Sequence, residues 1–142
     1  MRYLLVVSHG TFAPGLHSVI RMLAGDRDDV LSCSLEDGMG ADVYTERLKK
    51  TISPIGQDDT IFLFGDIIGG SPLTNAMDVL TEAGHIDRTT VFGGANVPMV
   101  ITAALEADND DKTLKEMVIS EGQAAIREFV LDLGGGDEDE EL

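Results

Sequence analysis

A chain of 142 residues with 43% hydrophobic and 5% aromatic residues is long enough to bury one core, and fits an aliphatic α/β domain better than an all-β sandwich. Its formal charge of −16, from 26 acidic and 10 basic residues, argues against nucleic acid as a partner, because a phosphate backbone selects a basic surface. No stretch approaches the roughly 20 apolar residues of a membrane span, and a single cysteine supplies neither an internal disulfide nor a zinc site.

The first hydrophobic run, residues 3–7, reads as a buried strand that stops at Ser8-His9-Gly10-Thr11. It is too short and too soon polar for a signal peptide, so a cytoplasmic protein is expected. A helix follows over 14–24, with Leu16, Val19, Ile20 and Leu23 on one stripe and Gly25 as its stop. His17 lies off that stripe and reads as a surface residue near enough to His9 to border the same cleft. Residues 30–35 form a second strand, interrupted by serines, in which Cys33 reads as a buried structural thiol. A helix over 41–52 places Tyr44, Leu48 and Ile52 at i, i+4 and i+8, and 60–64 forms the third strand, ending at Gly65-Asp66.

Beyond the turn Ile67-Ile68-Gly69-Gly70, Ser71 reads as an N-cap and Pro72 as the first helical residue. Leu73, Ala76, Met77 and Leu80 make the inner face of that helix, Gly84 ends it, and His85 falls in a loop. Residues 89–92 are a fourth strand leading to Gly93-Gly94-Ala95-Asn96-Val97-Pro98, where Asn96 caps a helix to about residue 105. Thr113 and Glu116 make a capping-box pattern for a last helix running to about residue 129, and 130–133 reads as a short terminal strand. The domain is thus expected over 1–133, with 134–142 a disordered acidic tail. Residues 137–141 contribute five of the negative charges, which leaves −11 on the rest. That body fits either a basic protein partner drawn in by long-range steering or simple solubility.

Alternating strands and helices imply a doubly wound, mainly parallel sheet with helices on both faces. If the chain winds outward both ways from the first strand, the order is 2-1-3-4 and the ends of strands one and three flank the topological switch point. His9 and Asp66 would then face each other. A histidine of ordinary pKa, about 6.5, is largely neutral at pH 7 and keeps a nucleophilic nitrogen. A carboxylate on the other ring nitrogen would fix its tautomer. Gly69, Gly70 and Ser71, at a helix start, offer phosphate donors, with Gly10 and Thr11 on the other side. The plain alternative is polar residues at two strand exits and an ordinary helix start. No phosphate-binding Lys loop or Gly-x-Ser-x-Gly elbow is present. The spacing of His9, His17 and His85 gives no metal site.

Three segments, Leu4-Leu5-Val6-Val7-Ser8-His9-Gly10, Asp66-Ile67-Ile68-Gly69-Gly70-Ser71-Pro72 and Gly93-Gly94-Ala95-Asn96-Val97-Pro98-Met99, together resemble the IIA component of the mannose family of the bacterial sugar phosphotransferase system. The resemblance covers residues 1–133. It implies a parallel sheet of order 2-1-3-4 and a homodimer in which a C-terminal strand adds across the subunit boundary. It further implies that His9 is phosphorylated on Nε2 by the phosphohistidine of HPr and passes the group to a separate IIB component. Membrane IIC and IID components would be served indirectly, and no cofactor is needed. Asp66 matches the carboxylate that orients the histidine, Ser71 the loop beside the phosphate, and Asn96 and Pro98 a third loop shaping the rim. The acidic body and tail are not part of the family pattern. Two alternatives are a phosphoryl donor subunit of a dihydroxyacetone kinase system and a regulatory module that reports phosphorylation state. The Gly-Gly-Ser-Pro motif favours sugar transport over the first.

Overall fold

Every second residue of a strand faces the same way, so the unbroken hydrophobic run at 3–7 demands cover on both sides. The computed structural model, which describes residues 1–133, supplies it. The expected acidic tail, 134–142, lies outside the described residues. Strands β1 (Arg2–His9), β2 (Val30–Leu35), β3 (Thr60–Gly65) and β4 (Thr89–Phe92) form one sheet of order β2-β1-β3-β4. All three pairings are parallel, as the alternating pattern predicts.

Helices α1 (Phe12–Ala24), α4 (Val97–Leu105) and α5 (Asp111–Ala124) cover one face. There Leu4, Val6, Phe62 and Phe64 meet Leu16, Ile20, Val100 and Leu114. Helices α2 (Ala41–Thr51) and α3 (Ser71–Glu82) cover the other, where Tyr3, Leu5, Val7 and Leu63 meet Tyr44, Leu48, Leu73 and Leu80. Burial raises the pKa of the Tyr44 phenol, which stays protonated and donates to the Pro72 carbonyl at 2.7 Å. That bond ties α2 to the first turn of α3.

Several local expectations are corrected. Gly70, not Ser71, is the N-cap of α3; Ser71 is its first residue and its hydroxyl makes no cap bond. Glycine and serine are both acceptable at an N-cap, so composition did not separate two adjacent candidates. α1 starts at Phe12 rather than Pro14, because proline is tolerated anywhere in a first turn, where its missing N–H has no partner. Leu23, expected on the inner stripe, is exposed. α5 begins at Asp111 with Asp110 as its cap, whose Oδ1 accepts from the Thr113 amide at 2.8 Å. Thr113 is therefore the third helical residue and not a cap, since an aspartate adds charge at the positive helix end. α5 stops at Ala124, short of residue 129, and 130–133 forms no strand in the chain. A strand exists only against a partner edge, and among the described residues none pairs with it; Val130, Leu131 and Leu133 lie exposed. None of the described helices is long and apolar enough to cross a membrane.

Candidate functional site

The sheet register brings the two sequence signals together. Val7 of β1 is opposite Gly65 of β3, so the chain leaving β3 carries Asp66 alongside His9, the last residue of β1. One oxygen, Asp66 Oδ2, accepts both the His9 amide and the His9 ring Nδ1–H, each at 3.0 Å. The other, Oδ1, accepts the Ile67 amide at 2.9 Å. Partial burial opposes charge on this carboxyl, but the His9 amide and ring bonds, the His9 charge and the Ile67 amide outweigh it. Asp66 is held below the ordinary carboxylate range. An ionised Asp66 only accepts, which puts a proton on Nδ1; in the neutral imidazole the lone pair is then on Nε2. The imidazole is 47% exposed while the carboxylate is 18% exposed, so the ring is the more open partner and the carboxylate the more sheltered.

The glycines set the rim. The Gly70 amide donates to the Ile67 carbonyl at 3.2 Å, closing a turn whose third position, Gly69, has φ +80°. That left-handed value requires glycine. The Gly10 amide donates to the Leu35 carbonyl at 2.9 Å. The Gly10 and Gly70 amides are therefore committed within the fold, whereas among the described residues those of Thr11, Gly69 and Ser71 have no backbone acceptor. A Cβ built on Gly70 would stand 3.0 Å from His9 Cε1, so this glycine lies directly against the ring.

Ser8 carries a role that the sequence pattern alone does not mark. It is completely buried, and its Oγ accepts the Ala13 amide at 2.7 Å, tying the His9–Thr11 turn to the start of α1. The available signal was a hydroxyl closing an otherwise apolar run just before a helix. His17 is not a surface residue: it is half-buried, its Nδ1 2.9 Å from the Ser32 hydroxyl. Burial and Arg21 lower its pKa against the pull of Asp26. Ser32 is opposite Val6, three residues before His9, or about 10 Å down the strand. His85, expected in a loop, lies outside the helices but is buried, and its Nδ1 accepts from Arg88 at 2.6 Å. Among the described residues no group of His, Cys, Asp or Glu is placed to hold a metal ion.

Asn96 caps α4 as expected, its Oδ1 accepting the Met99 amide at 3.0 Å, and its Nδ2 donates to the Gly122 carbonyl of α5 at 3.1 Å. Its side chain is thus spent on joining two helices. The third loop reaches the second through Gly93, where a Cβ would stand 2.5 Å from that of Ile68. Pro98 lines a groove with Leu23, Ile101 and Ala125.

A family model described as PTS system fructose IIA component matches residues 3–120. The fructose-specific EIIA component of a PTS system from Bacillus subtilis (strain 168) is 22% identical over 97 residues, which is 68% of this chain and 64% of that protein. The chain thus spans less than two thirds of the length of that curated relative. Among solved structures, the mannose/sorbose specific IIA subunit of the phosphotransferase system from Enterococcus faecalis superposes with a TM-score of 0.78 at 23% identity, covering 92% of this chain and 96% of that one. The PTS IIA protein associated with the fucose utilization operon of Streptococcus pneumoniae gives a TM-score of 0.72 at 25% identity, covering 87% and 90%. With the model spanning residues 3–120 of 142, the chain belongs to the EIIA-man family of PTS IIA components.

Proposed function

We propose that this chain is the phosphoryl carrier of a sugar phosphotransferase system, working in the cytoplasm as a homodimer. The observation that carries the reading is the 3.0 Å bond from His9 Nδ1 to Asp66 Oδ2 beneath a half-exposed ring. In the neutral ring it assigns the lone pair to Nε2, on a side chain that a second protein can reach. The Nε2 lone pair attacks the phosphorus of phospho-HPr. The donor's P–N bond breaks, and its electron pair returns to the donor imidazole. The Nδ1 proton stays in place, and Asp66 balances the positive charge that develops on the His9 ring. The amides of Thr11, Gly69 and Ser71 meet the phosphoryl oxygens at the starts of α1 and α3, while Gly10 and Gly70 shape the turns. In the second half-reaction a IIB nucleophile attacks the same phosphorus and the P–Nε2 bond breaks. From IIB the group passes to the incoming sugar, so the membrane IIC and IID components are served only indirectly. No cofactor or metal enters either step.

Mixing the chain with phosphoenolpyruvate, enzyme I and HPr is expected to add one acid-labile phosphoryl group per chain, read by intact mass. No added mass with partners that label another IIA protein would sink the carrier reading.

Gly70→Ala tests the packing against the ring. The new methyl would stand 3.0 Å from His9 Cε1 and 3.4 Å from the Ile67 carbonyl, so the imidazole must shift by a few tenths of an ångström. Uptake is expected to slow roughly tenfold, because reacting groups tolerate little misplacement, with the urea midpoint nearly unchanged. An unaltered time course would show that the ring position is not critical.

A further inference from the structure

A second concave site runs along the outer edge of β2. Ser32, Ser34 and Glu36 line it from the strand side, and Arg47, Lys50 and Thr51 from α2, around a cavity of about 360 Å³. That volume suits a small molecule. The cations here differ from those bound into the fold. Arg2 is held by Asp111 and the carbonyls of Ala107 and Asn109. Arg27 is held by Asp29 and the Ala104 carbonyl, and Arg88 by the carbonyls of Asp59 and Gly84.

Arg47, by contrast, has its paired carboxylate oxygen, Glu36 Oε2, 3.7 Å away, beyond hydrogen-bonding distance. Lys50 has no ion pair among the described residues. Arg21 and Lys49 are as loosely paired, with Asp26 at 3.7 Å and Glu46 at 3.6 Å; what sets Arg47 and Lys50 apart is that they share one cleft wall. The same Glu36 Oε2 accepts from the Ser34 hydroxyl at 3.2 Å. An anionic oxygen of the chain itself therefore already sits between a hydroxyl and a guanidinium. Both partners have open space around them, since Glu36 and Arg47 are 43% and 54% exposed.

We infer that this cleft binds a small dianion, a phosphomonoester or a dicarboxylate, which takes the place of the Glu36 carboxylate beside Ser34 and pairs with Arg47 and Lys50. The guanidinium fork matches two oxygens of such a group, and the ammonium adds a point charge. Ser34, released from Glu36, donates to a third oxygen. Glu36 is then a built-in competitor, which gives the site an unusual signature: removing a carboxylate from its mouth strengthens binding, and removing a cation weakens it.

The test is an NMR titration of the full chain with inorganic phosphate and, separately, malonate, at constant ionic strength with chloride as the control. Saturable shifts are expected at the amides of residues 32–36 and 47–51, and they persist in the His9→Ala chain. Arg47→Gln and Lys50→Gln each weaken binding roughly tenfold, the scale of a lost charge-assisted bond, and Glu36→Gln tightens it severalfold. Saturation by phosphate alone assigns a phosphomonoester, and saturation by malonate assigns a dicarboxylate. Shifts that chloride reproduces, an adventitious ion only, overturn the inference. So does an Arg47→Gln chain with native affinity, a Glu36→Gln chain that binds more weakly, or a response confined to residues 9–11 and 69–71 that disappears with His9.

Discussion

His9→Ala is expected to take up no phosphoryl group under conditions that fully label the native chain, while folding normally. The side chain is 47% exposed and its one side-chain bond is to Asp66. Asp66 keeps the His9 amide and the Ile67 amide in the variant, so no buried charge is abandoned. The stability cost is on the order of 1 kcal/mol, a shift in melting temperature of roughly 5 °C or less. Intact mass gives the first readout and a thermal melt the second. Residual acid-labile phosphate on the variant would place the nucleophile elsewhere. A collapse in melting temperature would mean that His9 holds the strand ends together.

Asp66→Asn carries the next largest effect. Three N–H groups converge on the two Asp66 oxygens: the His9 amide, the His9 ring and the Ile67 amide. An asparagine offers one oxygen and one NH₂. If the oxygen stays with His9, the NH₂ confronts the Ile67 amide and the negative charge beneath the ring is lost. If the amide turns over, its NH₂ donates to Nδ1, the ring proton moves to Nε2, and the nucleophile is available only in the minor tautomer. Either arrangement slows transfer, by about 10²- to 10⁴-fold, and neither removes it. Rapid-quench phosphorylation measures the rate, and native kinetics would exclude a role for the carboxylate.

The same variant should change the acid limb of stability. Because the folded pKa of Asp66 is lowered, its contribution is fully present above the ordinary carboxylate range, about pH 4, and is lost as pH falls through the folded value. The native chain is therefore expected to lose more stability on acidification below pH 4 than Asp66→Asn does. Paired urea titrations across that range check it.

The pairing of His9 with Asp66 was legible because it needs only two facts: that each residue ends a hydrophobic run, and that the runs lie side by side. The buried runs of β1 and β3 fell to the same logic, since a run covered on both faces leaves no polar alternation to misread, whereas β2 and β4 are only partly buried. What escaped depended on choices between chemically equivalent neighbours. Gly70 and Ser71 are both acceptable helix caps, and so are Asp110 and Thr113, where the charge of the aspartate decides. Leu23 satisfies the helical spacing of its neighbours, yet sits where α1 has outrun its cover. The buried Ser8 hydroxyl was hidden for a different reason. Its partner, the Ala13 amide, belongs to a helix that starts two residues before the Pro14 that marks it in the sequence.

The double use of Asp66 Oδ2 has a consequence for encounter with another protein. A surface histidine normally samples several orientations, so that many collisions find the wrong nitrogen or the ring edge-on. Here the imidazole cannot rotate without breaking its bond to an oxygen that the His9 amide also pins, and Gly70 lies against Cε1. The rotor is frozen before any partner arrives. Its ordering entropy is then a cost of folding rather than of each collision, and every visitor meets the same atom in the same direction.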